Sequence, residues 1–158
     1  MKFAFVFPGQ GSQSVGMMNG YTDLPKIRDT FAEASEILGQ DFWAMVNDGQ
    51  ADNLSLTINT QPLMLTAGVA VYRAWSELGG GKPTFLAGHS LGEYTALVAA
   101  EALAFEDALK LVRFRAQVMQ QAVPEGVGAM AAILGLDDHV IETICTEITI
   151  NSENKSLE

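Results

Sequence analysis

The chain has 158 residues, of which 48% are hydrophobic and 18% are charged, and its formal net charge is −10. This length and composition predict a soluble globular protein with a core of its own and exclude a disordered chain. The acidic balance argues against nucleic acid or an anionic membrane as the main partner, because both require a basic surface.

Cysteine content and hydrophobic runs indicate the compartment. The single cysteine, Cys145, cannot form a disulfide within the chain and has no companion at metal-ligand spacing. We interpret it as an ordinary, partly buried thiol in a reducing compartment. The apolar run at 3–7 is too short for a signal peptide, and no run is long enough for a membrane helix. We therefore expect a cytoplasmic protein with no metal site and no membrane partner.

The first predicted element is a strand. Residues 3–7 form a continuous apolar run, which predicts a central strand of an α/β sheet that is covered on both faces. Gly9 and Gly11 follow it and let backbone N–H groups approach a ligand. A strand followed by Gly-x-Gly also begins a dinucleotide-binding motif, but Ser14 stands where the third glycine is needed. In a site built on a nucleophile elbow, the Gln10 N–H is our candidate for a donor to an oxyanion.

The hydrophobic pattern of the next fifty residues is mainly helical. It predicts helices at 24–38, 41–46 and 59–78, with a polar loop at 48–53. The last of these helices is apolar enough to be mostly buried, and Pro62 is predicted at its first helical position. Gln61, at the same end, is either a solvated capping residue or a polar group directed into a site.

Residues 84–94 are the most informative stretch, and they predict a strand, a sharp turn and a helix. The spacing Gly88-x-Ser90-x-Gly92 matches a nucleophile elbow, in which glycines let strand and helix pass closely while the serine projects outward. Ser90 is then the nucleophile, and the Leu91 N–H at the helix N-terminus is the best-placed oxyanion donor. The alternative is a glycine-bounded turn whose serine has no catalytic role.

Residues 106–122 predict an amphipathic helix that carries an unusual arginine. Arg115 is three or four positions from apolar residues of this helix and is therefore predicted on its apolar face. Arg113 is predicted on the opposite, solvent-exposed face. An unpaired buried charge costs several kcal/mol, so Arg115 must reach the surface or bind an anion. It either makes a structural pair with a core carboxylate or carbonyl, or clamps a substrate carboxylate through two parallel hydrogen bonds. The predicted stripe comprises Leu111, Val112, Val118, Met119 and Ala122.

The segment Pro124-Glu125-Gly126 predicts a boundary between residues 1–123 and a second unit at 124–158. The second unit is predicted to begin with a strand at 127–134 and to continue as a helix towards Cys145, capped by Asp137 and Asp138. His139 lies beside these aspartates, but neighbours on a helix point in different directions, so we expect a surface residue and not a metal ligand. The tail at 146–158 has no convincing core pattern.

Four motifs carry a family resemblance. They are Phe-Pro-Gly-Gln-Gly-Ser-Gln at 7–13, Thr-Gln-Pro at 60–62, Gly-His-Ser-Leu-Gly-Glu at 88–93, and Arg115. In order and spacing they closely resemble the malonyl-CoA:acyl carrier protein transacylase family, over about residues 1–138. The resemblance implies an α/β-hydrolase-like parallel sheet with a nucleophile elbow, followed by the start of a small ferredoxin-like subdomain.

The resemblance also implies an activity and its residues. Ser90 would take malonyl from coenzyme A and pass it to the phosphopantetheine thiol of acyl carrier protein in fatty acid biosynthesis. The Gln10 and Leu91 backbone would bind the oxyanion, Arg115 would hold the malonyl carboxylate, and Gln61 would lie near the pocket. No cofactor is implied, because the coenzyme A thioester is itself the substrate.

The sequence departs from the family in one respect. Family members are nearly twice as long, and they carry the catalytic histidine in a motif well downstream of residue 158. This chain has only His89 and His139, and His89 directly precedes Ser90 on a turn where adjacent side chains project differently. We therefore expect a truncated or frameshifted product. The alternatives to the transferase are a non-catalytic acyl-CoA-binding fragment and a serine esterase or thioesterase that uses water as acceptor.

Overall fold

The computed structural model describes residues 2–122 and 133–155 and divides the chain into two units, Met1–Glu125 and Gly126–Glu158. The first unit combines two short strands with helices, and the described residues of the second unit, 133–155, contain one helix. The elements in chain order are β1 (Ala4–Phe7), α1 (Pro25–Leu38), α2 (Phe42–Asp48), α3 (Ala51–Ser55), α4 (Thr57–Glu77), β2 (Phe85–Gly88), α5 (Leu91–Ala99), α6 (Phe105–Gln121) and α7 (Asp138–Lys155).

The strands β1 and β2 pair in parallel, with Ala4 opposite Phe85 and Phe7 opposite Gly88. A parallel pair needs a long crossover connection, and helices α1 to α4 supply it. Both strands end at the same edge of the sheet. The loop after β1 and the turn after β2 therefore leave the sheet side by side, which is where parallel sheets commonly bind ligands.

The prediction that the first strand is covered on both faces is wrong for the residues that the structure describes. The Phe5 ring packs edge-on against Tyr72 and Trp75 of α4, with centroids 5.5 Å apart in each pair. On the other face, Val6 is 73% exposed and Phe85 is 66% exposed. A continuous apolar run indicates that both faces of the strand are hydrophobic, but it does not show whether another element covers each face.

Helix α4 is the centre of the first unit, because it packs against α1, α5 and α6. Its residues from Asn59 to Ala67 are all buried, as the apolar pattern predicted. The prediction for Pro62 is wrong, since the helix begins five residues earlier at Thr57 and Pro62 lies inside it. The missing N–H of a proline there costs one helical hydrogen bond. The large side chains with no more than 2% exposure around α4 include Ile27, Phe31, Phe42, Leu54, Leu63, Leu65, Leu91, Leu109 and Val112.

The stretch at 48–53, predicted as a polar loop, contributes to a helix. Helix α3 spans Ala51–Ser55, and Leu54 anchors it in the core with 2% exposure. Its other side chains are exposed, so Leu54 is its single buried apolar residue, and hydrogen bonds from Asn59 and Thr60 of α4 to Asn53 and Leu54 also hold it in place. A five-residue element with one buried side chain has no periodicity that a sequence pattern could reveal.

The second unit, taken by itself, contains α7. The helix starts at Asp138 and runs ten residues past Cys145 into the tail, where no core pattern was found. His139 is exposed, which confirms the surface interpretation, whereas Cys145 is exposed and not partly buried as predicted. Of the strand predicted at 127–134, residues 127–132 lie outside the described residues, and Ile133 and Leu134 are not in a strand. Within the described ranges, no helix has the length and hydrophobicity needed to cross a membrane.

We predict that Gly92→Ala lowers the free energy of unfolding by about 1–3 kcal/mol, the usual cost of forcing atoms into a packed site. A Cβ at Gly92 would lie 2.1 Å from the Phe7 carbonyl oxygen and 2.9 Å from that of Pro8, and backbone atoms cannot move aside cheaply. Urea denaturation followed by circular dichroism measures the change. Gly20→Ala is the matched control, because a Cβ there meets nothing within 4 Å. Equal stability of the two variants would contradict the close approach of α5 to β1.

Candidate active site

Ser90 occupies the sharp turn between β2 and α5, with backbone angles φ 52° and ψ −107°. A non-glycine residue in this region stores about 1–3 kcal/mol of strain. The turn is tight because a Cβ at Gly88 would lie 2.0 Å from the backbone carbonyl of Gly92. Glycine at both positions therefore lets the strand and the helix pass closely, and the Ser90 side chain is left exposed.

The loop after β1 lies directly against this turn. The His89 N–H donates a hydrogen bond to the Phe7 carbonyl at 3.2 Å, and a Cβ at Gly9 would lie 2.8 Å from the His89 carbonyl oxygen. Within the described part of the chain, the backbone N–H groups of Gln10 and Leu91 have no acceptor. Two backbone donors, one from each side of the strand pair, are thus available to a ligand at the carboxyl edge of the sheet.

Arg115 joins the serine to α4. Its Nη2 donates to Ser90 Oγ at 3.0 Å, and its Nη1 donates to Gln61 Oε1 at 2.7 Å. The guanidinium carbon also lies 5.8 Å from the centre of the Tyr94 ring. The fold therefore brings together three side chains that are separated by up to 54 positions in the sequence.

Gln61 is directed into this site. Its side chain is completely buried, which rules out a solvated capping residue. While Gln61 Oε1 accepts from Arg115, its Nε2 donates to the sulfur of Met119 at 3.3 Å. Both ends of the amide are thus bound, and Gln61 holds the guanidinium in one orientation.

The apolar stripe predicted on the helix at 106–122 is correct for Val112, which is buried, but wrong for its other four residues, which are exposed. Leu111, Val118 and Met119 are 42%, 48% and 38% exposed, and Arg115 is half-buried at the border of the packed face. Helix α6 packs against α4 and α1 through a different face from the predicted stripe. Apolar residues occur on both faces, so sequence periodicity alone did not show which of the two is buried. The buried residues of α6 are Phe105, Ala108, Leu109, Val112 and Ala116.

Arg113 was predicted on a solvent-exposed face, but its side chain is half-buried. It donates to Gln40 Oε1, lies 5.9 Å from the centre of the Phe42 ring, and its pKa is lowered by burial. Neither arginine belongs to an ion pair among the described residues. For Arg115, a structural pair with a carboxylate is therefore not found in the described chain, whereas a pair with a buried carbonyl oxygen is, because Gln61 Oε1 accepts from its Nη1. No carboxylate among the described residues pairs with its positive charge beside the exposed serine.

The His89 side chain makes no hydrogen bond to the serine hydroxyl in the described chain. The side chain is exposed, and the hydrogen-bond partner of Ser90 Oγ among the described residues is Arg115. Two cavities in the first unit, of about 680 and about 370 Å³, are lined by neither Ser90 nor Arg115. The serine lies outside both cavities and is open to solvent. Residues 2–122 and 133–155 contain no cluster of three side chains suited to a metal ion.

Comparison with known proteins gives the family of this chain. The model of the acyl transferase domain matches residues 4–149. The chain belongs to the acyl transferase domain family.

Solved structures of malonyltransferases share its acyltransferase fold. That of acyl-carrier-protein S-malonyltransferase from Burkholderia pseudomallei matches with a TM-score of 0.85 and 66% identity, over 93% of this chain and 48% of that chain.

Curated relatives of this acyl transferase chain are malonyl CoA-acyl carrier protein transacylases. The Escherichia coli K12 protein is 56% identical over 147 residues, which is 92% of this chain and 48% of the relative. The Bacillus subtilis 168 protein is 48% identical over 149 residues, which is 94% of this chain and 47% of the relative. The chain thus spans about half the length of the curated relatives it matches.

One further solved structure similar to this acyl transferase chain is a complex. It contains a type II polyketide synthase acyl-carrier protein bound to its malonyl-transacylase. The match has a TM-score of 0.86 and 51% identity, over 93% of this chain and 48% of that chain.

Proposed function

We propose that this chain acts in malonyl transfer from coenzyme A to the phosphopantetheine thiol of acyl carrier protein. The observation that carries the proposal is the Arg115 guanidinium, which donates to both Ser90 Oγ and Gln61 and has no carboxylate partner among the described residues. A nucleophile beside a free cation is suited to an acyl group that ends in a carboxylate. The names of the relatives and the acyl carrier protein complex support the same donor and acceptor.

The first half of the proposed reaction loads the serine. Ser90 Oγ attacks the thioester carbonyl carbon of malonyl-CoA and gives its proton to a base, and the carbonyl oxygen becomes an oxyanion. The Gln10 and Leu91 N–H groups stabilise that oxyanion, and loss of one such donor typically costs about 10²–10³-fold in rate. The carbon–sulfur bond then breaks, coenzyme A leaves as a thiolate that takes up a proton, and malonyl remains as a serine ester.

The second half repeats these steps with another thiol. The phosphopantetheine thiol of acyl carrier protein loses its proton, attacks the ester carbonyl, and the same two N–H groups bind the oxyanion. The Ser90–acyl bond breaks, the serine oxygen regains a proton, and malonyl leaves as a new thioester. The acceptor is a macromolecule with a thiol arm, and the exposure of Ser90 allows such an arm to reach it.

Arg115 gives this chemistry its acyl specificity in the proposal. The malonyl carboxylate lies only one carbonyl and one methylene group beyond the serine oxygen, and Arg115 Nη2 is 3.0 Å from that oxygen. The guanidinium has five N–H donors, of which two are used by Ser90 and Gln61. The remaining donors can bind the carboxylate while Gln61 keeps the group in place.

The finer features of the fold belong to the same proposal. The strand–turn–helix geometry around Ser90 and the parallel pairing of β1 with β2 support an α/β-hydrolase-like sheet. The division of the chain near residue 125 supports a second, smaller unit, for which we propose the ferredoxin-like arrangement that the resemblance implies.

Intact-protein mass spectrometry of the 158-residue chain incubated with malonyl-CoA tests the proposal. We expect a malonyl-sized mass gain, located by peptide mapping on the peptide that contains Ser90, and loss of that mass when phosphopantetheine-bearing acyl carrier protein is added. Appearance of malonyl on the carrier protein completes the test. Release of free malonate with an unmodified carrier protein would instead indicate an esterase. Saturable binding of malonyl-CoA without any adduct would indicate a non-catalytic acyl-CoA-binding fragment.

A further inference from the structure

The loop that contains Gln10 is fastened to the start of α4 by one side-chain hydrogen bond. Gln10 Nε2 and Thr57 Oγ1 lie 3.1 Å apart, so the amide donates to the hydroxyl. Among the hydrogen bonds of the described residues, this is the one that joins residues 9–15 to another element. The loop itself has no regular secondary structure, and Gly11 adopts a φ of 103°. Few hydrogen bonds therefore hold the loop, which also packs closely against His89 at Gly9.

Thr57 is a firm anchor because the chain around it is held from several sides. Thr60 Oγ1 donates to the carbonyls of Leu54 and Leu56 at 2.6 and 3.0 Å. Asn59 donates to Asn53, and its own Oδ1 accepts a hydrogen bond. Both Asn59 and Thr60 are buried. The first turn of α4 is thus fixed by side-chain bonds, and a group bound to Thr57 shares that rigidity.

Thr57 and Gln61 are four positions apart and therefore lie on the same face of α4. Gln61 binds Arg115, which binds Ser90 Oγ, whereas Thr57 binds the side chain of Gln10. One turn of one helix thus supports both the carboxylate clamp and the loop that carries an oxyanion donor.

We infer that Thr57 is a positioning residue for malonyl transfer, which holds the Gln10 loop so that its backbone N–H can bind the oxyanion. The inference rests on the proposed function, in which that N–H is an oxyanion donor. Thr57 itself touches no reacting atom. Without its hydroxyl the donor remains present but is no longer held, so the cost is smaller than the about 10²–10³-fold that follows removal of a donor.

The test compares Thr57→Val, which keeps the shape but removes the hydroxyl, with Thr57→Ser, which keeps the hydroxyl. We expect Thr57→Val to lower the limiting rate of Ser90 malonylation about tenfold, a moderate part of the donor's effect. The malonyl-CoA concentration that gives half of that rate should change less than about twofold, because the Arg115 clamp is intact. Thr57→Ser should restore the rate. Thr143→Val is the matched control, since that hydroxyl bonds only to its own helix in α7.

A second readout does not depend on turnover. Backbone ¹⁵N relaxation measures the order parameters of Gln10 and Gly11. We expect values of about 0.85 in the wild type and in Thr57→Ser, and values below about 0.6 in Thr57→Val. An ordered loop in Thr57→Val, or a loosened loop with an unchanged limiting rate, would overturn the inference. A wild-type chain that forms no adduct contradicts the proposed function instead. The order of the loop in the two variants then decides the role of Thr57 by itself.

Discussion

Replacing Ser90 with alanine is expected to abolish the malonyl adduct, with a loss of at least about 10³-fold in the rate of acyl transfer. The hydroxyl is the atom that would bond to the acyl group, and its oxygen is the one that Arg115 contacts at 3.0 Å. Intact mass after incubation with malonyl-CoA measures the effect. A full-sized adduct on Ser90→Ala would place the nucleophile elsewhere.

The same position tests the strain at the turn. With φ at 52° and ψ at −107°, Ser90 has a backbone conformation that glycine adopts without a steric penalty. Ser90→Gly should therefore unfold at a higher urea concentration than Ser90→Ala, by about 1 kcal/mol in the free energy of unfolding. Both variants lack the hydroxyl, so their difference reports the backbone alone. Identical unfolding curves would contradict a strained elbow.

Arg115→Ala is expected to remove the preference for malonyl over acetyl. Hydrogen bonds to charged groups contribute about 1.5–3 kcal/mol each, and the clamp is expected to make two of them with the malonyl carboxylate. Each 1.4 kcal/mol is about tenfold, so we expect malonyl transfer to fall by about 10²-fold or more while acetyl transfer changes little. The measurement is the rate of adduct formation with malonyl-CoA and with acetyl-CoA. Equal losses for both thioesters would show that Arg115 supports the fold of the site and not the carboxylate.

Two variants separate charge from geometry in this experiment. Arg115→Lys keeps the charge but cannot form two parallel hydrogen bonds, so its selectivity should lie between those of wild type and Arg115→Ala. Arg113→Ala removes a half-buried arginine from the same helix, whose hydrogen-bond partner is Gln40 and not Ser90. We expect it to lower stability and to leave the malonyl-to-acetyl ratio unchanged. A ratio altered by Arg113→Ala would show that the selectivity is not specific to Arg115.

Much of the local structure could be predicted because its causes are local. The helices at 24–38, 41–46, 59–78 and 106–122 are present with ends that differ by a few residues, since caps and periodicity act within a few turns. Helix α3 was missed because it has a single buried apolar side chain, Leu54, and the length of α7 was missed because its sequence has no apolar face to recognise. The elbow could be predicted from Gly88, Ser90 and Gly92 together with the apolar strand before them and the helical pattern after them.

The site was only partly predictable. Sequence motifs selected Ser90, Arg115 and Gln61 as candidates, but they left open whether Gln61 faced solvent and whether Arg115 had a carboxylate partner. Those questions concern contacts across up to 58 positions of sequence, such as that of Gln61 with Met119. The link between Gln10 and Thr57 belongs to the same class, and nothing in the sequence pattern pointed to it.

The sequence by itself determined the elements whose geometry follows from neighbouring residues, which are the tight turn at Ser90 and the helices around it. Tertiary structure alone decided which face of α6 is buried, which face of the sheet α4 covers, and which side chains meet at the serine. The physical reason is that a periodic pattern defines faces but not their partners. Partners depend on how helices and strands distant in sequence pack together, and the parallel pairing of β1 with β2 brings the Gln10 loop to Ser90.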